Sequence, residues 1–468
     1  MFTYSSNECG AGKTRAIINY LNKNPSTKGI LVQNTMALMT QSSQSLTNYK
    51  VINTNTSTTV YEDIIEYIDS PTNQVLVISD KMFWKVGESI KAGMYEVFVD
   101  DSTSHIEHTS ITEDNTRAKG IVQYDILSNV QQIPNTCFST ASIKDSKDHG
   151  DLMKDLTKKF DIIRNNDACI FNTSWLVEEE TTKMAITAYK NLTKYSHLDI
   201  HFCANNFEQT LIYLANKHFF VKKDLDGIMT RTVPVQQRLK VFYFSDSDLS
   251  KSWKDKSQDE LAKIYRYLNK VLPPNSFYWT KNNADSYKVD GVERFELAGH
   301  FISCDTRGIN SMKGFDTCVW LACLRPSSTE IKQYEHLFGI SGDELLRARE
   351  QETLWQFVMR GCIREFDSDK VQTVYVFSKE QAMSISTNIE KIELDITEKR
   401  KNGRPVGSTN AHILPDALNT RLKRFLATNP ALAEFITWRN EKCKGISIAD
   451  SKVMMTRFEK RQKKGGAK

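Results

Sequence analysis

Short apolar runs recur along the chain at intervals that suit strands separated by helices. Phe2-Thr3-Tyr4-Ser5 reads as a strand, and Ala16-Ile17-Ile18 with Tyr20-Leu21 then fall at helical spacing. Gly29 to Gln33, Gln74 to Ser79 and Tyr95 to Val99 are mostly apolar runs of the kind that form buried strands. Cys137 to Ser142 follows another strand-like entry, whereas 150–238 mixes both periodicities and is assigned no chemistry. Leu239 to Phe244 is rich in apolar and aromatic residues and predicts a strand. Leu261, Ile264, Tyr265, Leu268 and Val271 predict a helix that Pro273-Pro274 ends, with a strand at Ser276 to Trp279. Cys318 to Leu324 continues the alternation, and Leu354 to Glu365 predicts an amphipathic helix carrying Gln356, Arg360 and Arg364 on nearly one face. Such alternation predicts an α/β chain with parallel sheets packed between helices.

The loop between the first strand and the first helix adds chemistry. Asn7-Glu8-Cys9-Gly10-Ala11-Gly12-Lys13-Thr14 matches the phosphate-cradling pattern G-x-x-x-x-G-K-[ST] except at Asn7. Backbone N–H groups of Gly10, Ala11 and Gly12 and the helix N-terminus would face a triphosphate. Lys13 would reach the outer phosphates, and the Thr14 hydroxyl would ligate Mg2+. ATP and magnesium are therefore the expected ligands. Asp100 and Asp101 end a strand roughly 90 residues further on, where a P-loop ATPase places a second magnesium partner and the residue that orients the attacking water.

Composition excludes several other classes. Hydrophobic residues make up 40% of the chain and charged residues 25%, as in globular proteins. The longest apolar run, Cys318 to Leu324, is too short to span a bilayer, so no membrane role is expected. The start of the chain lacks a basic region followed by an apolar one, which predicts a cytoplasmic protein. Its nine cysteines include no C-x-x-C pair, which argues against structural zinc and a disulfide framework.

The net charge of +5 is unevenly spread. Glu398 to Lys468 holds 17 Lys and Arg against 6 Asp and Glu, while the other 397 residues hold 45 against 51. Such a basic appendage predicts a polyanionic partner. Lys399 to Pro405 contains Gly403-Arg404-Pro405, which resembles an AT-hook core that would place Arg404 in a narrow minor groove. Beyond it three helices are expected, marked by Leu414 to Leu426, by Ala431, Phe435 and Trp438, and by Ile448 to Phe458. They would leave Arg421, Lys423 and Arg424 on the outside.

The order of these clusters resembles that of the superfamily 2 helicases, nucleic-acid motors with two RecA-like domains. Asn7 to Thr14 looks like motif I. Thr35, Leu38 and Gln41 look like motif Ia, which in that family touches the strand backbone. Asp100-Asp101 looks like motif II and Ser139-Thr140-Ala141 like motif III. Arg307-Gly308-Ile309-Asn310 looks like motif V and adds Gly308 to the nucleotide site. Gln356, Arg360 and Arg364 look like motif VI, whose arginines reach across the interdomain cleft. The departures are Asp101 for Glu, Asn310 for Asp, an arginine spacing of four rather than three, and no room before Asn7 for an adenine-reading motif.

The resemblance implies two RecA-like parallel-sheet P-loop domains, 1–150 and 239–390. An uncertain connection or insertion at 151–238 separates them, and a small basic α-helical module follows at 391–468. It also implies a DNA helicase or translocase, with RNA as the alternative strand. Other replication proteins would be candidate partners of the C-terminal extension. A P-loop so near the N-terminus is similar to bacteriophage-encoded helicases, which would work in the host cytoplasm. Two other readings are a viral terminase-like ATPase and nuclease, and a nucleotide-regulated DNA-binding protein without catalysis.

Overall fold

The computed structural model describes residues 1–101, 105–112, 116–144, 156–178, 181–397, 416–428, 431–442 and residues 454, 455, 457 and 458. Residues 1–399 form one compact unit and 400–468 a second.

The chain begins with β1 (Phe2–Ser6), β2 (Gly29–Gln33), β3 (Tyr49–Val51), β4 (Val75–Ser79) and β5 (Glu96–Asp100). After β5 it leaves this sheet and builds an antiparallel one. That sheet comprises β6 (Ile106–Thr112), β7 (Leu127–Gln132), β8 (Phe138–Ile143), β9 (Ala168–Asn172) and β10 (Lys183–Tyr189), in the order β6-β10-β9-β8-β7. The Lys190 amide donates to the His105 carbonyl at 2.9 Å, pinning exit to entry at the root of this excursion. The chain then returns with β11 (Asp199–Ala204) and β12 (Phe220–Lys222), completing a seven-stranded parallel sheet in the order β12-β1-β11-β5-β2-β4-β3.

Segment 151–238 is thus shared between the antiparallel insertion and the first parallel sheet, and a boundary at 150 cuts through the insertion. The Ser139-Thr140-Ala141 assignment is also corrected. These residues lie in β8 of the antiparallel sheet, where Ser139 Oγ is 2.8 Å from Thr173 Oγ1, and they line neither the P-loop nor Asp101. The place between the P-loop strand and the Asp100 strand belongs to β11.

Side-chain alternation explains why the first sheet is covered on both faces. Ile30, Val32, Leu76, Ile78, Val97 and Val99 join one apolar core. Their neighbours Leu31, Val75, Val77 and Phe98 join another, with Ile17, Ile18 and Leu21 of helix α1 (Lys13–Lys23). All five residues of β2 are buried, as expected of a central parallel strand.

The second parallel sheet is built from β13 (Leu239–Ser245), β14 (Tyr278–Thr280), β17 (His300–Phe301), β18 (Thr317–Trp320), β19 (Gln372–Ser378) and β20 (Ile389–Lys391). A small hairpin, β15 (Lys288–Val289) and β16 (Val292–Glu293), lies apart from it. The sheet order is β17-β14-β18-β19-β13-β20. The helix Gln258–Val271 covers one face through Leu261, Ile264, Tyr265 and Leu268. Helix Ser328–Phe338, which follows β18, packs instead on the antiparallel insertion. There Gln333 is fully buried, accepts from Thr187 Oγ1 and donates to the Ala185 carbonyl, both at 2.8 Å.

In the second unit, helices Asp416–Ala427 and Leu432–Lys442 share an apolar core with Met454 and Phe458. Phe425 stacks on Trp438 at 4.4 Å. Arg421, Lys423 and Arg424 are exposed, while Arg404 lies outside the described residues. Among the described residues no helix is long and apolar enough to cross a membrane.

Candidate active site

The first sheet presents its chemistry where its strands end. The P-loop leaves β1 and enters α1 through two glycines in left-handed backbone, Gly10 at φ 86° and Gly12 at φ 91°. Gly12 caps α1 without any side-chain bond to its first N–H groups, which leaves those donors directed at the loop. Lys13 folds back over the loop, donating to the carbonyls of Asn7 at 2.9 Å and Glu8 at 3.0 Å. Ala11 is buried beneath it, and its carbonyl accepts from the Met229 amide at 2.9 Å. Cys9, inside the loop, is an inert thiol, since burial pushes its pKa up to about 11.

Thr14 Oγ1 donates to Asp100 Oδ2 at 2.7 Å, and Gln33 Nε2 donates to the same oxygen at 2.9 Å. Burial raises the Asp100 pKa while these two bonds pull it down. The backbone then turns left-handed at Asp101, with φ 64°, and the Asp101 side chain enters the cleft beside Arg307, 3.8 Å away.

The second half of the chain meets this loop directly. A cleft of about 350 Å³ is lined by Gly10, Gly12, Lys13, Thr14 and Asp101 from the first half. Gly308, Gln356, Arg360 and Arg364 line it from the second. A Cβ on Gly10 would stand 3.2 Å from Arg364 Cγ, so glycine there permits the close approach of the arginine segment. Arg360 is buried and engaged, its Nε donating to Thr306 Oγ1 and its Nη1 to the Ile309 carbonyl, each at 3.2 Å. The Arg364 amide donates to the Gly361 carbonyl at 3.0 Å, but its guanidinium forms no hydrogen bond or ion pair among the described residues. Burial, then Arg360 beside it, pushes its pKa down to about 10.

The helical pattern through Arg364 is interrupted. The α-helix is Glu352–Val358, and Cys362–Arg364 forms a separate turn of 3₁₀ helix. Buried side chains from distant strands capture the last carbonyls. Tyr278 donates to Phe357 and Val358 at 3.1 Å, and Gln372 donates to Val358 at 2.8 Å. At Gly361 a Cβ would lie 2.2 Å from Gln372 Oε1, so only glycine fits the break.

Thr35 and Gln41, expected on the nucleic-acid path, sit at the junction of the two halves. Thr35 caps helix α2 (Met36–Ser43) by accepting from the Leu38 amide at 3.2 Å, and a Cβ on Gly308 would lie 3.1 Å from its hydroxyl. Gln41 lines the cleft and accepts from Asn310 Nδ2 at 3.0 Å.

Four further residues were not singled out from the sequence. Asn205, just beyond β11, donates to both carboxylate oxygens of Glu352 at 2.9 and 3.0 Å, and Glu352 also accepts from Gln356 at 3.0 Å. This chain of bonds ties the first sheet to Gln356. Burial raises the Glu352 pKa, and the Gln356 and Asn205 bonds oppose it. Arg231 pairs with Glu8 of the P-loop, donates to the Ile363 carbonyl and stacks over Phe366 at 3.9 Å. Arg238, almost wholly buried, donates to the carbonyls of Cys362 at 3.0 Å, Glu365 at 2.7 Å and Lys370 at 3.0 Å. It therefore fixes the turn that carries Arg364. Arg238→Ala is expected to destabilise the protein by at least about 3 kcal/mol, because three carbonyls would be left without charged donors. A urea midpoint unchanged from wild type would show those bonds to be dispensable.

No protein-family model matches the chain, and no curated protein matches it in sequence. Solved structures do. Apo XPD superposes with a TM-score of 0.50 at 10% identity, covering 84% of this chain and 97% of that one. A structure of XPD helicase gives 0.49 at 11% identity, covering 84% and 96%. Dbp5 from S. cerevisiae, bound to RNA and ADP BeF3, gives 0.35 at 10% identity, covering 84% and 85%. The likeness to XPD shows the fold, a mixed α/β chain whose parallel sheets match the RecA-like domains of helicase structures.

Proposed function

We propose that this chain is an ATP-driven nucleic-acid motor of the superfamily 2 type, a helicase or translocase acting on DNA. One observation carries the reading: Lys13 of the P-loop and Arg360 and Arg364 of the second half line a single cleft. Phosphoryl transfer builds charge on the outer phosphate, and a planar, permanently charged guanidinium is the side chain best suited to meet it. With loop and arginine on different sheets, hydrolysis depends on how those sheets are held together, which is what converts turnover into movement.

The residues fit the expected ligands. The uncapped α1 N-terminus and the two left-handed glycines suit a polyphosphate, and Thr14 with Asp100 offers the hard oxygen donors that magnesium takes alongside phosphate oxygens and water. Bound there, magnesium would neutralise charge between adjacent phosphates. Lys13 holds the outer phosphates, Asp101 orients or deprotonates the attacking water, and Gln356 senses the occupied cleft through Glu352 and Asn205. The Arg364 guanidinium, free of competing partners among the described residues, serves as the finger, and Arg360 holds the Thr306–Ile309 loop against the nucleotide. Thr35 and Gln41 relay strand binding to Gly308 and Asn310.

ATP turnover measured with and without single-stranded DNA and RNA tests this reading, with unwinding of forked, 3′-tailed and 5′-tailed duplexes alongside. Strand-stimulated hydrolysis is expected; turnover indifferent to every strand would overturn it. The exposed Arg421, Lys423 and Arg424 and the basic balance of the C-terminal unit support a second DNA-binding surface. Removing residues 398–468 is expected to weaken DNA binding and flatten its salt dependence. The log–log slope should fall by about 0.9 for every duplex phosphate that the shortened chain no longer neutralises. An unaltered slope would assign the appendage to another partner.

A further inference from the structure

The segment 223–238, which joins the two parallel sheets, is fastened to both. Near its start the Lys223 amide donates to the Tyr4 carbonyl at 2.8 Å, and the Met229 amide meets the Ala11 carbonyl of the P-loop. Further on, Thr232 Oγ1 donates to the Phe366 carbonyl at 3.4 Å, and Arg238 binds the turn that carries Arg364. Arg231 stands between these two sets of contacts and takes part in both.

The Arg231 side chain is 4% exposed, although it comes from a connecting segment. Its Nε donates to the Glu8 carboxylate and its Nη1 to the Ile363 carbonyl, both at 2.5 Å, while Nη2 lies 3.5 Å from the Cys9 carbonyl. The face of the guanidinium covers the Phe366 ring. Phe366 in turn packs on the loop, where a Cβ on Gly10 would stand 3.3 Å from Cε2 of that ring. One planar cation therefore grips the P-loop at Glu8 and the later half at Ile363 and Phe366, which bracket Arg364.

The grip works against a repulsion. After burial, the cations that lower the Arg364 pKa are Arg360 and then Arg231, so three guanidinium groups crowd one region. The Arg231–Glu8 pair supplies the opposing attraction that keeps the turn against the loop. We propose that Arg231 is a positioning residue for hydrolysis: by binding Glu8 and Ile363 together, it sets the distance between the P-loop and Arg364. This rests on the reading of Arg364 as the finger. The distance matters, because a misplacement of about 1 Å costs on the order of a hundredfold in rate.

Single-turnover hydrolysis at saturating ATP tests this on the full chain, with affinity for a fluorescent ATP analogue measured in parallel. Arg231→Gln is expected to slow turnover by about ten- to a hundredfold, with affinity within a few-fold of wild type. In the Arg364→Ala background the same change should cost less than about twofold, since a finger that is absent cannot be misplaced. A purely structural role would instead lower affinity along with rate, and its loss would multiply with that of Arg364→Ala. Arg231→Lys should recover little, because an ammonium cannot serve Glu8, Ile363 and the ring at once. The Glu8 side chain is 52% exposed, so Glu8→Ala keeps the fold and decides the matter where Arg231→Gln does not fold. It should slow turnover by about fivefold or more, again without further cost beside Arg364→Ala. A wild-type rate in Arg231→Gln or in Glu8→Ala, or losses that multiply, would overturn the role of Arg231 and leave the finger in place. A wild-type rate in Arg364→Ala would instead remove the reading beneath it.

Discussion

Lys13→Ala should abolish ATP hydrolysis, with turnover falling by at least roughly a hundred- to a thousand-fold, the range for removing one preorganised charge-stabilising group. Lys13 is the first residue of α1, and its ammonium lies over the loop between the Asn7 and Glu8 carbonyls. No other cation of the first half lines the cleft among the described residues except Arg15, two positions further along the helix. The substitution leaves the loop's own framework intact, since the positive φ of Gly10 and Gly12 and the Thr14–Asp100 bond do not involve Lys13. Far-ultraviolet circular dichroism should therefore be unchanged while phosphate release disappears. Retained turnover would remove the P-loop from the chemistry.

Arg364→Ala is expected to cost about 10³–10⁵ in turnover, the range for arginine fingers, while leaving ATP affinity within a few-fold of wild type. The separation follows from placement: Arg364 belongs to the later half and would meet a bound nucleotide only when the two sheets stand together. Arg360→Ala should behave differently. Its guanidinium holds Thr306 and Ile309, so the loss should appear in strand-stimulated activity and in stability together. Arg364→Lys should rescue little, because a point charge on a flexible stem does not reproduce the planar fork. Unchanged single-turnover rates in Arg364→Ala would move the finger role elsewhere.

The residues that line the cleft, Lys13, Thr14, Asp101, Arg360 and Arg364, stand out in the sequence because each falls in a short local cluster whose chemistry is tied to residue type. The parallel strands were legible for a related reason: strands buried on both faces are continuous apolar runs, such as Ile30 to Val32 and Val97 to Val99. What could not be read was adjacency. Nothing local in Cys203-Ala204-Asn205 tells that β11 lies between β1 and β5, or that Asn205 meets a glutamate 147 residues away. Ser139-Thr140-Ala141 misled because a small hydroxyl-rich tripeptide also suits a strand in an antiparallel sheet. The helix through Arg360 and Arg364 was over-extended for the same kind of reason. Its spacing is helical, but Tyr278 and Gln372 end it from strands 80 residues before and 14 after Val358.

The excursion after β5 bears on how such a machine could move. Its strands are rooted in the first sheet, yet Thr187 and Ala185 are hydrogen-bonded to Gln333 of a helix that belongs to the second. Parting the halves there would give up both buried hydrogen bonds, at about 0.5–1.5 kcal/mol net for each. A motion that keeps that mooring fast and opens at the phosphate-facing mouth would cost less, and the insertion would then serve as the pin of a jaw rather than as a passenger.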